Sequence, residues 1–353
     1  MKQHHRSALH VKLERVAVRC FTLLVLLKCG AFLLHGWPLR GCFAQMGMRR
    51  FREKEGSQIR VPVSGTNAVK MDGLTSGEAK LMTQLAEAAK GRNWVHIQAL
   101  WSSYSGSAFP VFCAAMQAAF QCGKYVAAAE IYEALRRSSA ELTSTVPLTM
   151  GIKIFGKLGQ HQKVKDIWEE AQTGGLVDQF VAGTFIDAGA EAGDFMASVE
   201  GLDYMLQHGY DVDASRFCSV INACKNSDLP DRHKAARFLF QQMLDKGLHP
   251  DVATFAALVG AYQEAPLKII LGVRATMQEL GTIPNIVFAE VYISALLGRL
   301  EGNADEVAAL LQKVTKPRRE AALTALQDFR ASGVQLSYLC KKVEKALSRY
   351  RHV

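Results

Sequence analysis

The sequence predicts an all-α protein in which helix-turn-helix repeats of about 35 residues stack into a superhelical solenoid. Three observations predict this fold: the alternation typical of strands is almost absent, apolar residues recur at helical spacing, and the pattern repeats along the chain. A single helical hairpin cannot bury the apolar faces of both its helices. Neighbouring hairpins must therefore stack and share one continuous core.

Four consecutive segments carry the clearest repeat. They are residues 145–178, 179–213, 214–251 and 252–285, which are 34, 35, 38 and 34 residues long. Each segment closes with Gly, a short spacer, and Asp or Asn, as in Gly247-Leu-His-Pro-Asp251. A Gly followed by Asp or Asn is typical of one helix ending and another beginning, so each segment is one structural unit.

Each unit contains two helices with one apolar face apiece. In the third unit, the first helix places Phe217, Val220 and Ile221 at positions i, i+3 and i+4. The second helix repeats this spacing between Ala236 and Met243. Weaker versions of the same hairpin cover 77–108, 109–144, 286–317 and 318–350. Six to eight hairpins are expected in all.

The composition excludes several classes of protein. Hydrophobic residues make up 49% of the chain and charged residues 21%, which excludes an intrinsically disordered chain. The 28 Gly and 9 Pro are far too few for collagen, and 8 Cys in 353 residues are too few for a disulfide scaffold. The length allows two or three ordinary domains or one elongated array.

The net charge of +9 comes from the first 62 residues, where twelve Lys and Arg stand against three acids, and 12 − 3 = 9. A basic start is followed by an apolar run from Cys20 to Leu34, small residues, and Arg49-Arg50-Phe51-Arg52. A signal sequence followed by a transit peptide has this order, and the segment resembles the bipartite leaders of proteins sent to complex plastids. We therefore predict a plastid protein, with the mitochondrion as the alternative and a retained membrane anchor as a further reading.

The predicted organisation has four parts. They are a targeting leader at 1–62, a linker at 63–76, helical repeats at 77–317 with 145–285 best marked, and a basic C-terminal helical hairpin at 318–353. Residues 313–353 carry ten bases against three acids, a net +7 that makes this end a candidate electrostatic contact. Because residues 63–353 sum to zero, residues 63–312 are left at 0 − 7 = −7.

The end of the third unit and the start of the fourth resemble the pentatricopeptide repeat. The stretch reads Met243-Leu-Asp-Lys-Gly-Leu-His-Pro-Asp251-Val-Ala-Thr-Phe255. The family's second helix typically ends in Met, a polar pair, Gly, a spacer and Pro-Asp, and an apolar-Thr-aromatic stretch opens the next repeat. The landmarks of the tetratricopeptide repeat are absent. The resemblance covers 145–285, extends over 109–350, and implies a right-handed solenoid.

The resemblance implies binding of single-stranded organelle RNA, one base per repeat. In the family, the fifth and last residues of a repeat read the base edge and the second residue sandwiches the base. Carried over to this sequence, the fifth and last residues are Thr149 with Asp178, Gly183 with Asp213, Cys218 with Asp251, and Ala256 with Asn285. The sandwiching residues are Val146, Phe180, Ser215, Ala253 and Val287.

Two functions stay open on these residues. The pair of Thr149 and Asp178 is a usual reading pair, assigned in the family to guanine, which favours a role in RNA processing, stability, splicing or translation. Gly183, Cys218 and Ala256 cannot make the hydrogen bonds expected of Asn, Ser or Thr. The alternative is therefore a scaffold that binds other proteins. The acids and amide at the repeat ends are also good helix N-caps.

Signals for catalysis are absent from the sequence. There is no Cys-x-x-Cys, no zinc-spaced histidine pair, no Walker loop and no Gly-x-Ser-x-Gly. We predict no enzyme, no metal, no cofactor and no small-molecule substrate, and a membrane contact only through an uncleaved leader. The five cysteines outside the leader are predicted to be buried small hydrophobes, namely Cys113, Cys122, Cys218, Cys224 and Cys340.

Overall fold

The computed structural model describes residues 74–138, 144–298 and 304–349, and within these ranges it contains sixteen α-helices and no strand. The helices are α1 Ser76–Lys90, α2 Trp94–Ser102, α3 Phe109–Gln121, α4 Tyr125–Ser138, α5 Thr145–Lys157, α6 His161–Thr173, α7 Gln179–Ala192, α8 Phe195–Gln207, α9 Ala214–Asn226, α10 Arg232–Asp245, α11 Val252–Ala261, α12 Leu267–Glu279, α13 Ile286–Leu297, α14 Ala304–Lys313, α15 Lys316–Ala331 and α16 Tyr338–Arg349. The predicted all-α fold is confirmed.

The helices alternate between two roles. Each odd-numbered helix, here called a first helix, packs against the next first helix, from α1 through α15. Each first helix from α1 to α11 also packs against the even-numbered helix that follows it, here called a second helix. The first helices thus form one continuous layer. The predicted stacking of helical hairpins is confirmed.

The apolar faces predicted from helical spacing lie in the core. Phe217, Val220 and Ile221 of α9 are buried, as are Ala236 and Met243 of α10. These residues belong to one cluster of buried side chains that includes residues from α1 to α16. Burial of this apolar surface is the main term that stabilises the stack.

Hydrogen bonds between consecutive units have the repeat period. The Tyr210 hydroxyl donates to the Val177 carbonyl at 2.7 Å, across 33 residues. The Asn226 side-chain amide donates to the Ala190 carbonyl at 2.8 Å, across 36 residues. Both bonds join one unit to the next, so they fix how successive hairpins sit on each other.

The glycine of the repeat-end signature has a conformational role at Gly247. Its φ is +73°, in the left-handed region that residues with a Cβ rarely adopt. In this conformation the Gly247 N–H donates to the Leu244 carbonyl at 2.8 Å and the Leu248 N–H donates to the Met243 carbonyl at 3.1 Å. These bonds end α10 and turn the chain toward the next unit.

Gly193 ends α7 with a φ of +69°, and a Cβ placed there would lie 2.5 Å from the Asn226 carbonyl oxygen. We expect Gly193→Ala to lower the free energy of unfolding by about 2–3 kcal/mol, because it adds a backbone clash to left-handed strain. Gly123 is the matched control, since its φ is +70° and a Cβ there meets nothing within 4 Å. Gly123→Ala should cost only about 1 kcal/mol.

Urea unfolding followed by circular dichroism measures both variants. Equal losses of stability in Gly193→Ala and Gly123→Ala would contradict the close approach of α7 and α9 at this point.

Two sequence predictions concern residues that the structure does not describe. The targeting leader at 1–62 and residues 63–73 of the linker lie outside the described ranges. Among the helices that the structure does describe, none has the length and hydropathy needed to cross a bilayer.

Candidate functional site

The first helices expose their second residues on one face of the layer, here called the first-helix face. Phe180 is 45% exposed and Val287 is 58% exposed. Ser215 and Ala253 are also exposed, whereas Val146 is half-buried. Phe180 and Val287 each have an apolar side chain that the core does not use. This is the surface on which a flat apolar group could stack.

The last residue of each unit caps the first helix of the next unit. Asp178 accepts from the Phe180 N–H at 2.9 Å and from the Val181 N–H at 2.8 Å. Asp213, Asp251 and Asn285 accept from the N–H of the residue three positions on, at 3.0, 2.8 and 2.9 Å. The N-capping role predicted for these residues is confirmed.

The caps leave part of each carboxylate unused. In Asp178, Asp213 and Asp251 the capping bonds go to Oδ1. No described residue donates to Oδ2 of any of the three. Each capped aspartate therefore keeps one oxygen as an acceptor beside the exposed second residue of the following unit.

The fifth residues are less accessible than the second residues. The Thr149 hydroxyl donates to the Thr145 carbonyl of its own helix at 3.0 Å. Gly183 is buried, and Ala256 is half-buried. Cys218 is half-buried. The pKa of its thiol is raised, because burial raises it more than a hydrogen bond with the Thr254 side chain lowers it. Among the four fifth residues, only Thr149 has a side-chain hydroxyl.

Arg216 covers the fifth position of the second unit. Its Nη1 donates to the Gly183 carbonyl and to Asp187 Oδ2, both at 3.0 Å. The Ser219 hydroxyl donates to Asp187 Oδ1 at 2.7 Å. Sequence reasoning missed Arg216 because it lies in the next unit, 33 residues beyond Gly183. The signal in the sequence was the glycine at 183, because a residue without a side chain leaves space that a side chain of the next unit can fill.

Ion pairs balance acids on the first-helix face. Asp187 pairs with Arg216 at 3.0 Å, and Glu191 pairs with Lys157 at 2.5 Å. Lys153 lies one turn before Lys157 and is exposed. The net negative charge of residues 63–312 is therefore offset locally at α5, α7 and α9, which removes part of the repulsion that a polyanion would meet there.

The basic C-terminal hairpin uses some of its charge internally. Arg318 donates to the carbonyls of Ala265, Ala295 and Leu296. Arg330 pairs with Glu344 at 2.5 Å. The exposed lysines of this end are Lys313, Lys316, Lys341 and Lys345. The charge of Arg318 is thus committed to backbone carbonyls, whereas the Arg330–Glu344 pair is already balanced within the +7 sum.

Three of the five cysteines in the described ranges are buried. Burial raises the pKa of Cys113 and Cys224 to about 12, and Cys340 is also buried. The prediction of burial is wrong for Cys122 and Cys218, which are half-buried because one caps the end of α3 and the other lies at the edge of the first-helix face. In the residues described, no group of three or more His, Cys, Asp or Glu is placed to hold a metal ion.

Comparison with known proteins agrees with this geometry. Residues 238–299 match the pentatricopeptide repeat domain. The crystal structure of the pentatricopeptide repeat protein PPR10 from maize is similar to this chain, with a TM-score of 0.55, 19% identity, and coverage of 78% of this chain and 36% of that one. PPR10 in complex with an 18-nt psaJ RNA element gives a TM-score of 0.46 and 16% identity, with coverage of 78% and 44%.

The chain therefore spans less than half the length of the structures it matches. No curated protein matches it. Residues 238–299 are thus similar to the pentatricopeptide repeat domain, and the stacked helix pairs around them have the fold of the maize PPR10 crystal structure.

Proposed function

We propose that this protein binds single-stranded RNA along the first-helix face, one base per repeat, and acts in RNA processing, stability, splicing or translation in an organelle. PPR10, whose fold it shares, has been solved in complex with an 18-nt psaJ RNA element. Single-stranded RNA suits such a layer because its bases are free to stack on exposed side chains and to be read at their edges.

The observation that carries the proposal is the regular exposure of equivalent residues. Phe180 and Val287 present apolar surface at the second position of their units, 45% and 58% exposed. A capping Asp178 or Asn285 precedes each of them by two residues. A stacking surface beside a hydrogen-bonding group, present at Phe180 and at Val287, is what a base of a single strand requires.

The proposed location rests on the leader. The basic, apolar and Arg-rich order of residues 1–62 favours a plastid, with the mitochondrion as the alternative. Import of a fluorescent fusion to residues 1–62 into one organelle or the other would decide between them.

A protein-binding scaffold is the second candidate function. Gly183 and Ala256 bring no side-chain hydrogen-bonding group to the first-helix face. The second helices also expose apolar side chains, with Phe238 at 39% and Leu271 at 42%. Such side chains suit a protein partner better than a polyanion.

The double variant Phe180→Ala and Val287→Ala tests the RNA proposal. Because stacking contributes about 1–3 kcal/mol per base, we expect the variant to bind single-stranded RNA about tenfold or more weakly. Fluorescence anisotropy of the full chain with a labelled random-sequence RNA pool measures this affinity. Double-stranded RNA of the same length should bind much more weakly than the single strand.

The matched control is Val95→Ala with Val126→Ala. Both side chains are exposed, at 77% and 63%, but they lie on second helices. This control should bind RNA as the unaltered chain does. If the folded, unaltered chain binds no single-stranded RNA at low salt, the RNA proposal fails and the scaffold function is favoured.

A further inference from the structure

Arg216 places a guanidinium where the second unit has no side chain of its own. We infer that Arg216, acting with Asp213, makes the unit at 179–213 select guanine. This inference rests on the proposed RNA-binding function and adds a specificity-determining residue to it.

The guanidinium occupies the space of the missing fifth side chain. A Cβ built on Gly183 would lie 2.9 Å from Nη1 of Arg216 and 3.0 Å from its Cζ. A larger residue at 183 would therefore project into the volume that Arg216 fills. The hydrogen-bonding groups at this position come from α9 of the next unit instead of from α7.

One edge of the Arg216 guanidinium makes hydrogen bonds within the protein, and the other edge makes none with the described residues. Nη1 is committed to the Gly183 carbonyl and to Asp187, at 3.0 Å each. No described residue accepts a hydrogen bond from Nη2, and the side chain is 26% exposed. A fixed guanidinium with two N–H groups still unused is pre-organised to donate to a ligand, since little side-chain entropy remains to be lost.

An acceptor and a stacking surface lie beside this donor. Asp213 Oδ1 caps α9 and lies 3.9 Å from Nε of Arg216, and its Oδ2 has no donor among the described residues. Phe180 lies one helical turn before Gly183 and is 45% exposed. An aromatic ring, a guanidinium fork and a carboxylate oxygen thus belong to neighbouring residues of the first-helix face.

Guanine matches this set of groups better than the other bases. Its O6 accepts from a guanidinium, while its N1–H and its exocyclic amino group can both donate to a carboxylate. Adenine and cytosine present an amino group where guanine presents O6. An amino group donates hydrogen bonds, so it cannot pair with the Arg216 guanidinium, which also donates. Uracil presents an acceptor but only one N–H for Asp213. The arrangement therefore selects guanine over each alternative.

Selection from a random pool of single-stranded RNA tests the inference with the full chain. The unaltered chain should enrich sequences with guanine at the position read by the unit at 179–213, beside the guanine expected for the pair of Thr149 and Asp178 in the preceding unit. In Arg216→Met and in Arg216→Lys, guanine enrichment at that position should fall about tenfold, because neither side chain presents a planar fork. Preferences at the other positions should persist, and their persistence would show that the variants are folded.

Ser219→Ala is the matched control, since it removes a contact to Asp187 and leaves Arg216 in place. It should keep the guanine preference. Unchanged guanine enrichment in Arg216→Met would overturn the inference, and so would full retention in Arg216→Lys, which would make Arg216 a charge contact only. If the unaltered chain recovers no RNA at all, the proposed function itself fails, which is a distinct result from a lost preference at one position.

Discussion

Replacing Trp168 with alanine should lower the free energy of unfolding of the surrounding repeats by about 3–5 kcal/mol. Trp168 of α6 is 1% exposed. Its ring stacks on Phe185 of the next unit, with ring centroids 4.3 Å apart and an angle of 3° between the planes, and meets Tyr204 edge-on at 5.3 Å. The variant would leave a cavity between two units and remove an aromatic stack, and both effects destabilise.

The effect should be local. In a repeat array each unit contacts only its neighbours, so the loss should concentrate in α5 to α8 and be small in α13 to α16. Hydrogen exchange resolved by segment measures this, alongside urea unfolding of the whole chain. Uniform loss of protection from α1 to α16 would contradict nearest-neighbour stacking.

Trp168→Phe is the matched control. It keeps a ring against Phe185 and removes the hydrogen bond from the Trp168 Nε1–H to Glu200 Oε1, which is 2.8 Å long. Because Glu200 is exposed, water can replace that donor, and we expect a loss of only about 1–2 kcal/mol. If Trp168→Phe is as unstable as Trp168→Ala, the hydrogen bond and not the packing is the main contribution of this residue.

The helices and their buried faces could be predicted because they depend on local spacing. Phe255, Leu258 and Val259 recur at i, i+3 and i+4, and all three are buried in α11. The capping of α7 by Asp178 likewise needs only residues that are two and three positions apart. Periodicity and capping are properties of a short stretch of sequence, and a short stretch is enough to recognise them.

The groups that meet at the candidate site could not be predicted in the same way. Arg216 reaches Gly183 because α9 packs on α7, so the contact depends on how two units are superposed. When each unit is read by itself, the fifth position of the second unit is Gly183, which has no side-chain hydrogen-bonding group. The structure supplies one from the following unit, which a reading confined to a single repeat does not contain.

A sum of charges also fails to say where the charges act. Residues 313–353 sum to +7, which suggested an electrostatic contact surface. Arg330 forms an ion pair with Glu344 inside the C-terminal hairpin. Arg318 is directed at backbone carbonyls of two preceding units. A count treats Arg318 and exposed Lys341 alike, although Arg318 is half-buried and directed at carbonyls while Lys341 presents its charge to solvent.

Replacing Arg318 with methionine should lower the free energy of unfolding by about 3 kcal/mol, because hydrogen bonds from a charged donor to partly buried acceptors would be lost. Nη2 donates to the Ala265 carbonyl at 2.6 Å, and Nη1 donates to the carbonyls of Ala295 and Leu296 at 3.1 and 3.2 Å. The last two carbonyls lie at the C-terminal end of α13, where a positive charge also interacts favourably with the helix dipole. Arg318 therefore ties the start of α15 to the end of α13 and to the loop between α11 and α12.

Lys316→Met is the matched control for Arg318→Met, since Lys316 lies in the same turn of α15 and carries the same charge but is exposed. It should change the urea midpoint of unfolding by less than the equivalent of about 0.5 kcal/mol. If Arg318 were instead a contact for a polyanion, Arg318→Met would weaken RNA binding and leave the midpoint of unfolding unchanged. A lower midpoint for Arg318→Met beside an unchanged one for Lys316→Met assigns this arginine to the fold, because only the carbonyl contacts distinguish the two side chains.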